Sequence, residues 1–127
     1  MEYNKELLKN SKTFCLAPWL SIHTRPDGKT YPCCIWDSND PVGNVNNETL
    51  DEIWNNERMK QTRAGMLKGE KISSCKRCYH LEETGDSSYR KRINYEHQDK
   101  IHYVDNTNKD GTLSIMNLHL WDVRISN

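Results

Sequence analysis

What the sequence lacks narrows the field first. No apolar run approaches the roughly 20 residues that a membrane-spanning helix needs. The opening stretch MEYNKELLKNSKTF has no apolar core of the kind a secretory signal carries. Both absences predict a cytoplasmic protein with no membrane partner. Charge of one sign is not in excess either, since Lys+Arg and Asp+Glu number 18 each. The whole chain therefore offers no electrostatic case for a nucleic-acid partner. Hydrophobic residues are scarce, at 35% of 127 residues. A core of that size is modest and calls for a second source of stability. There is no nucleophile elbow and no phosphate-cradling glycine-rich loop, so the chain is not expected to catalyse a reaction alone.

Cysteine is what the sequence does have. Five are present, an odd number that suits a disulfide framework poorly. In a reducing compartment such a group is better placed to bind metal. Two of them, Cys33 and Cys34, are neighbours in YPCC, where adjacent backbone geometry opposes a mutual disulfide.

The surrounding pattern predicts how the others are brought together. Residues 3–11 read as a short polar helix or an irregular lead-in. The stretch from Cys15 to Trp36 alternates, with Leu20 and Ile22 on one face, and RPDG supplies a tight turn. A hairpin with strands at about 19–24 and 29–35 would carry Cys15 toward Cys33 and Cys34. SNDPVGNVNNET is a loop by composition. Thr49 and Glu52 form a capping box for one helix ending near Gly69. Along it Leu50, Ile53, Trp54, Met66 and Leu67 make an apolar stripe that covers the hairpin. A polar segment from residue 73, helical in parts, is interrupted at Gly85 and Asp86. The tail reads as a strand, a turn at NKDG and one or two further strands.

Cys75 and Cys78 form a Cys-x-x-Cys, a spacing that lets a short turn place two thiolates on one ion or cluster. With Cys15 and one of the adjacent pair they make four thiolates. That is the ligand set of a structural Zn²⁺ or of an iron–sulfur cluster, and it would supply the missing stability. The fold class expected is therefore α+β, a small β-hairpin plus helices organised around a four-cysteine metal-cluster site. The hairpin origin of two ligands leans toward a cluster, and a zinc-binding interaction module without a redox role is the alternative.

CLAPWLSIHTRPDGKTYPCC resembles the opening of the SPASM and twitch domains, the auxiliary iron–sulfur domains of radical S-adenosylmethionine proteins. That opening has a cysteine, a spacer, a glycine and, after four more residues, a second cysteine; here these are Cys15, Gly28 and Cys33. The next segment is similar too: Gly-Asn after the loop, a helix bearing Leu, Ile and Trp, an Arg near its end, then Cys-x-x-Cys. The likeness runs over residues 14–92. It implies that Cys15, Cys33, Cys75 and Cys78 ligate one [4Fe–4S] cluster, with Cys34 as the alternative to Cys33. Five cysteines are too few for the two clusters of a full SPASM domain, so the resemblance is to the shorter twitch form. It implies electron relay, substrate positioning or structural support in an enzyme that modifies a peptide or protein.

The expected organisation is a lead-in over 1–13, a cluster-binding domain over 14–95 and a β-rich tail over 96–127. LWDVRISN resembles the first barrel strand of radical S-adenosylmethionine proteins. The Cys-x-x-x-Cys-x-x-Cys that holds the catalytic cluster and S-adenosylmethionine is absent. The expectation is an N-terminal piece of a longer enzyme whose catalytic domain would be its partner in cis, or else an ordinary core strand.

Other motifs carry less. Tyr79 stands where a haem-attachment histidine would follow Cys78, and His80 is a reserve metal ligand. YRKRIN, residues 89–94, is a basic run flanked by acids and reads as a solvated face. His23, His97, His102 and His119 show no partner pattern. The tryptophans read as core or rim, with Trp19 and Trp36 placed to shield a cluster from water.

Overall fold

Pro26 and Gly28 set the first feature of the fold. Gly28, at φ +91°, closes the tight loop between β1 (Ser21–Thr24) and β2 (Lys29–Tyr31). The loop is held by Arg25 N–H to Lys29 O, 3.0 Å, and Gly28 N–H to Arg25 O, 2.9 Å. The computed structural model describes residues 2–123 and has the α+β architecture expected. Its one sheet has the order β3-β2-β1-β4. β1 and β2 are antiparallel, with His23 opposite Tyr31. β3 (Gly43–Asn44) pairs antiparallel with β2, and β4 (Leu120–Val123) pairs parallel with β1. A parallel neighbour needs a long crossover, and here all the later helices lie within it.

Both hairpin strands are shorter than their hydrophobic pattern. Residues 17–20, with Pro18 in the first turn, instead form the short helix α2 (Ala17–Leu20), wholly buried. Proline is at home there because a first-turn N–H has no helical partner to lose.

The helix expected from Thr49 to Gly69 is two helices, α3 (Leu50–Trp54) and α4 (Glu57–Leu67). The capping box forms: Thr49 Oγ1 accepts from Glu52 N–H at 3.1 Å and Glu52 Oε1 accepts from Thr49 N–H at 2.8 Å. The break falls at Asn55-Asn56, whose side chains compete for backbone partners. Asn56 Oδ1 caps α4 by accepting from Met59 N–H at 2.9 Å, while its Nδ2 donates to Val42 O at 2.7 Å. Asn55 bonds both the N–H and the C=O of Leu113, at 2.9 and 2.7 Å. Gly69, at φ +80°, follows the end of α4.

Trp19, Trp54, Phe14, Ile53, Met59 and Met66 build the core. Arg63 of α4 lies in the middle of it, fully buried. Its Nε donates to Pro18 O (2.9 Å), Nη2 to Trp54 O (2.6 Å), and Nη1 to Gly111 O (3.0 Å) and Asn55 Oδ1 (3.2 Å). The guanidinium also sits 4.8 Å from the centre of the Trp54 ring. Burial pulls its pKa down to about 9, so it stays charged at neutral pH.

α5 (Lys76–Glu83) and α6 (Tyr89–Glu96) follow, separated around Gly85. The tail departs from the strand expectation. Gln98–Asn106 is a 3-10 helix against which α1 (Glu2–Asn10) packs. Ile101 and Val104, three apart and both buried, fit the three-residue turn of that helix as well as they fit a strand pattern. A bridge between Thr107 and Leu113 spans the NKDG turn, and β4 is the one strand of the tail among the described residues. The last part of LWDVRISN, residues 124–127, lies outside the described residues. Among the described residues no helix is long and apolar enough to cross a membrane.

Candidate metal centre

Cys15 lies in the buried segment that leads into α2. Two side chains of α6 fix that segment from outside. Asn94 Oδ1 accepts from Leu16 N–H at 2.8 Å, and Asn94 Nδ2 donates to Phe14 O at 3.0 Å, one bond on each side of Cys15. Arg90 Nη1 donates to Phe14 O at 2.8 Å and to Ser11 O at 3.2 Å. Arg90 is itself held in a two-point ion pair, Nε and Nη2 to the two oxygens of Glu82 at 2.8 and 2.6 Å. Ser88 Oγ adds a third bond to that carboxylate, at 2.5 Å. The Ala17 N–H points back to the Cys15 sulfur at 3.4 Å.

Cys33 and Cys34 follow β2 in a turn and face opposite ways. Cys33 is buried and Cys34 exposed. The Ile35 and Trp36 amides lower the Cys33 thiol's pKa. Trp36 is buried, and its indole N–H donates to Asp40 O at 2.7 Å.

Cys75 ends a 3-10 turn (Ser73–Cys75), and Cys78 lies in the first turn of α5, buried. The turn is joined to the Cys33 loop by Asp37 N–H to Ser74 O, 3.2 Å. The Asp40 carboxylate takes hydrogen bonds from both Ser74 and Arg58, and Arg58 lies 5.4 Å from the centre of the Trp36 ring. Tyr79 OH accepts from Ile72 N–H at 3.1 Å, and the same hydroxyl pulls the Cys75 thiol's pKa down.

Electrostatics place the four thiols in one neighbourhood. Burial pushes the Cys15 thiol well up. The Cys33 charge adds to this, the Ala17 amide opposes it, and Cys75 and Cys78 add smaller amounts. Burial pushes Cys33 up to about 12 against its two amide donors, with Cys34 and Cys78 contributing. Cys75 is likewise raised, by burial first and then by Cys33 and Cys78, while Tyr79 and Arg58 pull the other way. Thiols this strongly raised are protonated in the apo protein, and a metal would have to displace their protons.

Among the described residues no three His, Cys, Asp or Glu side chains close on a metal-binding point. The four-cysteine site expected from the sequence is thus not seen as a ligand group among the described residues. The donor chemistry nevertheless fits an iron–sulfur group. The sulfurs are soft, those of Cys15, Cys33 and Cys78 are buried, and the Ala17 amide aims at Cys15.

Several residues of this site were not legible in the sequence. Arg90 belongs to the basic run that reads as solvated, yet it is 5% exposed and paired, while Lys91 and Arg92 beside it are exposed. Asn94, Asp40 and Tyr79 carry no motif. His80 is exposed. Trp19 and Trp36 are buried as expected, whereas Trp121 is half exposed.

A family model described as SPASM, iron–sulfur cluster-binding domain, matches residues 15–79, just over half of the chain. The matched span begins at Cys15 and takes in Cys33, Cys34, Cys75 and Cys78. No curated protein and no solved structure matches the chain. The chain belongs to the SPASM family of iron–sulfur cluster-binding domains.

Proposed function

We propose that Cys15, Cys33, Cys75 and Cys78 bind a single [4Fe–4S] cluster, and that the domain serves as the auxiliary unit of a radical S-adenosylmethionine protein acting on a peptide or protein. The observation carrying the ligand set is the burial of Cys15, Cys33 and Cys78 beside the outward-facing Cys34, with the Cys75 turn tied to the Cys33 loop through Asp37 N–H to Ser74 O. Bound there, the cluster would supply one-electron chemistry or a Lewis-acidic anchor for substrate.

The chain's own residues perform the rest. Asn94 and Arg90 orient the Cys15 segment. The Asp40, Arg58 and Ser74 contacts lock the Cys33 loop to the Cys75 turn. Amides of Ala17, Ile35 and Trp36 and the Tyr79 hydroxyl offer hydrogen bonds to sulfur, which stabilise the thiolate form and raise a cluster's potential. Trp36 and Trp19 limit water. S-adenosylmethionine belongs, in this reading, to a catalytic domain in the same chain or in a partner.

Metal and sulfide analysis with an optical spectrum, after anaerobic purification, tests this reading. About four irons and four sulfides per chain are expected for a four-thiolate cluster. One zinc without sulfide would replace it with the structural-zinc alternative.

A further inference from the structure

A cleft with Tyr79 in its lining lies between α1 and the helices α5 and α6. Its volume is about 1040 Å³, at the upper end of small-molecule sites, which run to about 1,000 Å³. Lys5 and Lys9 of α1, with Lys12 just beyond it, line one wall. Lys71 and Lys91 line the other. All five are exposed, and Lys5, Lys9, Lys12 and Lys71 take part in no ion pair among the described residues. In a chain whose formal net charge is zero, this is a local cationic excess, which focuses anions toward the cleft. Lys5 and Lys9 are four apart on one helix, where like charges repel, and an incoming acid would relieve that.

The floor decides what kind of anion fits. Glu82 and Arg90 neutralise each other there, and every Arg90 nitrogen is already committed, to Glu82, Ser11 O and Phe14 O. No preset donor therefore awaits a small anion, and recognition rests on five long, adaptable side chains around an apolar strip. Leu8 and Ile101 form that strip. On the rim Tyr95 is 76% exposed, more than any other large hydrophobic residue of the described surface. Exposed tyrosine, apolar on its ring and polar at its tip, is enriched at protein-docking surfaces. A single-stranded nucleic acid would want successive stacking platforms, and among the lining residues Tyr95 is the one exposed ring.

We propose that this cleft docks an acidic segment of a partner protein, one that alternates carboxylates with aliphatic side chains. Aliphatic groups would lie on Leu8, Ile101 and Tyr95, and carboxylates would meet the lysines of both walls. Tyr79 lines the cleft and also influences the Cys75 thiol, so an occupied cleft would press on the wall of the metal centre. The docking itself is independent of the cluster reading, because peptide affinity and iron content are measured separately.

The test is fluorescence anisotropy of the full chain with a fluorescein-labelled peptide of about a dozen Glu and Leu residues. A Lys/Leu peptide of equal length and an oligothymidylate of similar charge serve as competitors. Docking predicts saturable binding of the acidic peptide, weakened at least about tenfold by raising salt from about 50 to 500 mM. K9E/K12E on one wall and K71E on the other should each give a comparable loss, with unchanged melting temperature and iron content, whereas K109E, away from the cleft, should not. The proposal is overturned by no binding of the acidic peptide, by an equal loss with K109E, or by competition from oligothymidylate as strong as that from unlabelled acidic peptide.

Discussion

Replacing Asn94 by alanine isolates what holds the Cys15 segment in place. Asn94 is 6% exposed and spends both ends of its amide on the backbone either side of Cys15. Leu16 is fully buried, so losing its acceptor leaves the N–H without a partner, at a cost of about 1–3 kcal/mol. Phe14 O keeps its bond from Arg90 Nη1, and its loss is smaller, about 0.5–1 kcal/mol. The sum is about 1.5–4 kcal/mol, a large part of the 5–15 kcal/mol that holds a typical domain together. For a chain of this length that corresponds to a fall in melting temperature of roughly 6–15 °C. The assay is thermal unfolding by circular dichroism, with Asn39→Ala on the exposed loop as a control expected within about 0.5 kcal/mol of the parent. Iron bound per chain should fall in the Asn94 variant, since the loosened segment carries Cys15. A melting temperature within about 2 °C of the parent, with full iron, would refute the reasoning.

Two further perturbations follow from the same accounting. Arg63→Met removes the Arg63 donors to Pro18 O, Trp54 O, Gly111 O and Asn55 Oδ1, of which Asn55 Oδ1 keeps its bond from Leu113 N–H, and should cost more than about 4 kcal/mol; Arg63→Lys, reaching fewer of them, should recover part, read as urea midpoints. Burial alone would raise the Glu82 carboxyl, but hydrogen bonds from Arg90 and Ser88 and the Arg90 charge outweigh it and hold the group below its usual range. A depressed carboxyl stabilises the fold above its unfolded value, about 4.3, and that contribution disappears as pH falls through the lower folded value. The stability gap between the parent and Glu82→Gln should therefore be level from about pH 5 to 7, at about 1–3 kcal/mol, and should shrink below about pH 4, as urea midpoints across pH will show.

The parts of this fold that the sequence made legible are those with local causes. RPDG forces a turn, Thr49 and Glu52 cap a helix, and Cys-x-x-Cys needs only its own spacing. Long-range partners were not legible. Asn94 and Arg90 act on residues 76–80 positions away, and nothing near them in sequence marks the ion pair that removes Arg90 from solvent. The helix break at Asn55-Asn56 has no glycine or proline to signal it. It depends on Val42 O and on the backbone of Leu113, which only the tertiary fold brings within reach. The 3-10 helix over Gln98–Asn106 was misread because Ile101 and Val104 satisfy more than one period. Cys33 and Cys34 could not be ranked from sequence, because the turn that follows β2 decides which thiol points inward.

That last point offers the most direct test of the central claim. Iron and sulfide per chain should be measured for the five single cysteine-to-alanine variants, prepared anaerobically in parallel. The account predicts near-complete loss for C15A, C33A, C75A and C78A and parental content for C34A. Full cluster content in C33A with loss in C34A would contradict it, as would retention in any of the other three.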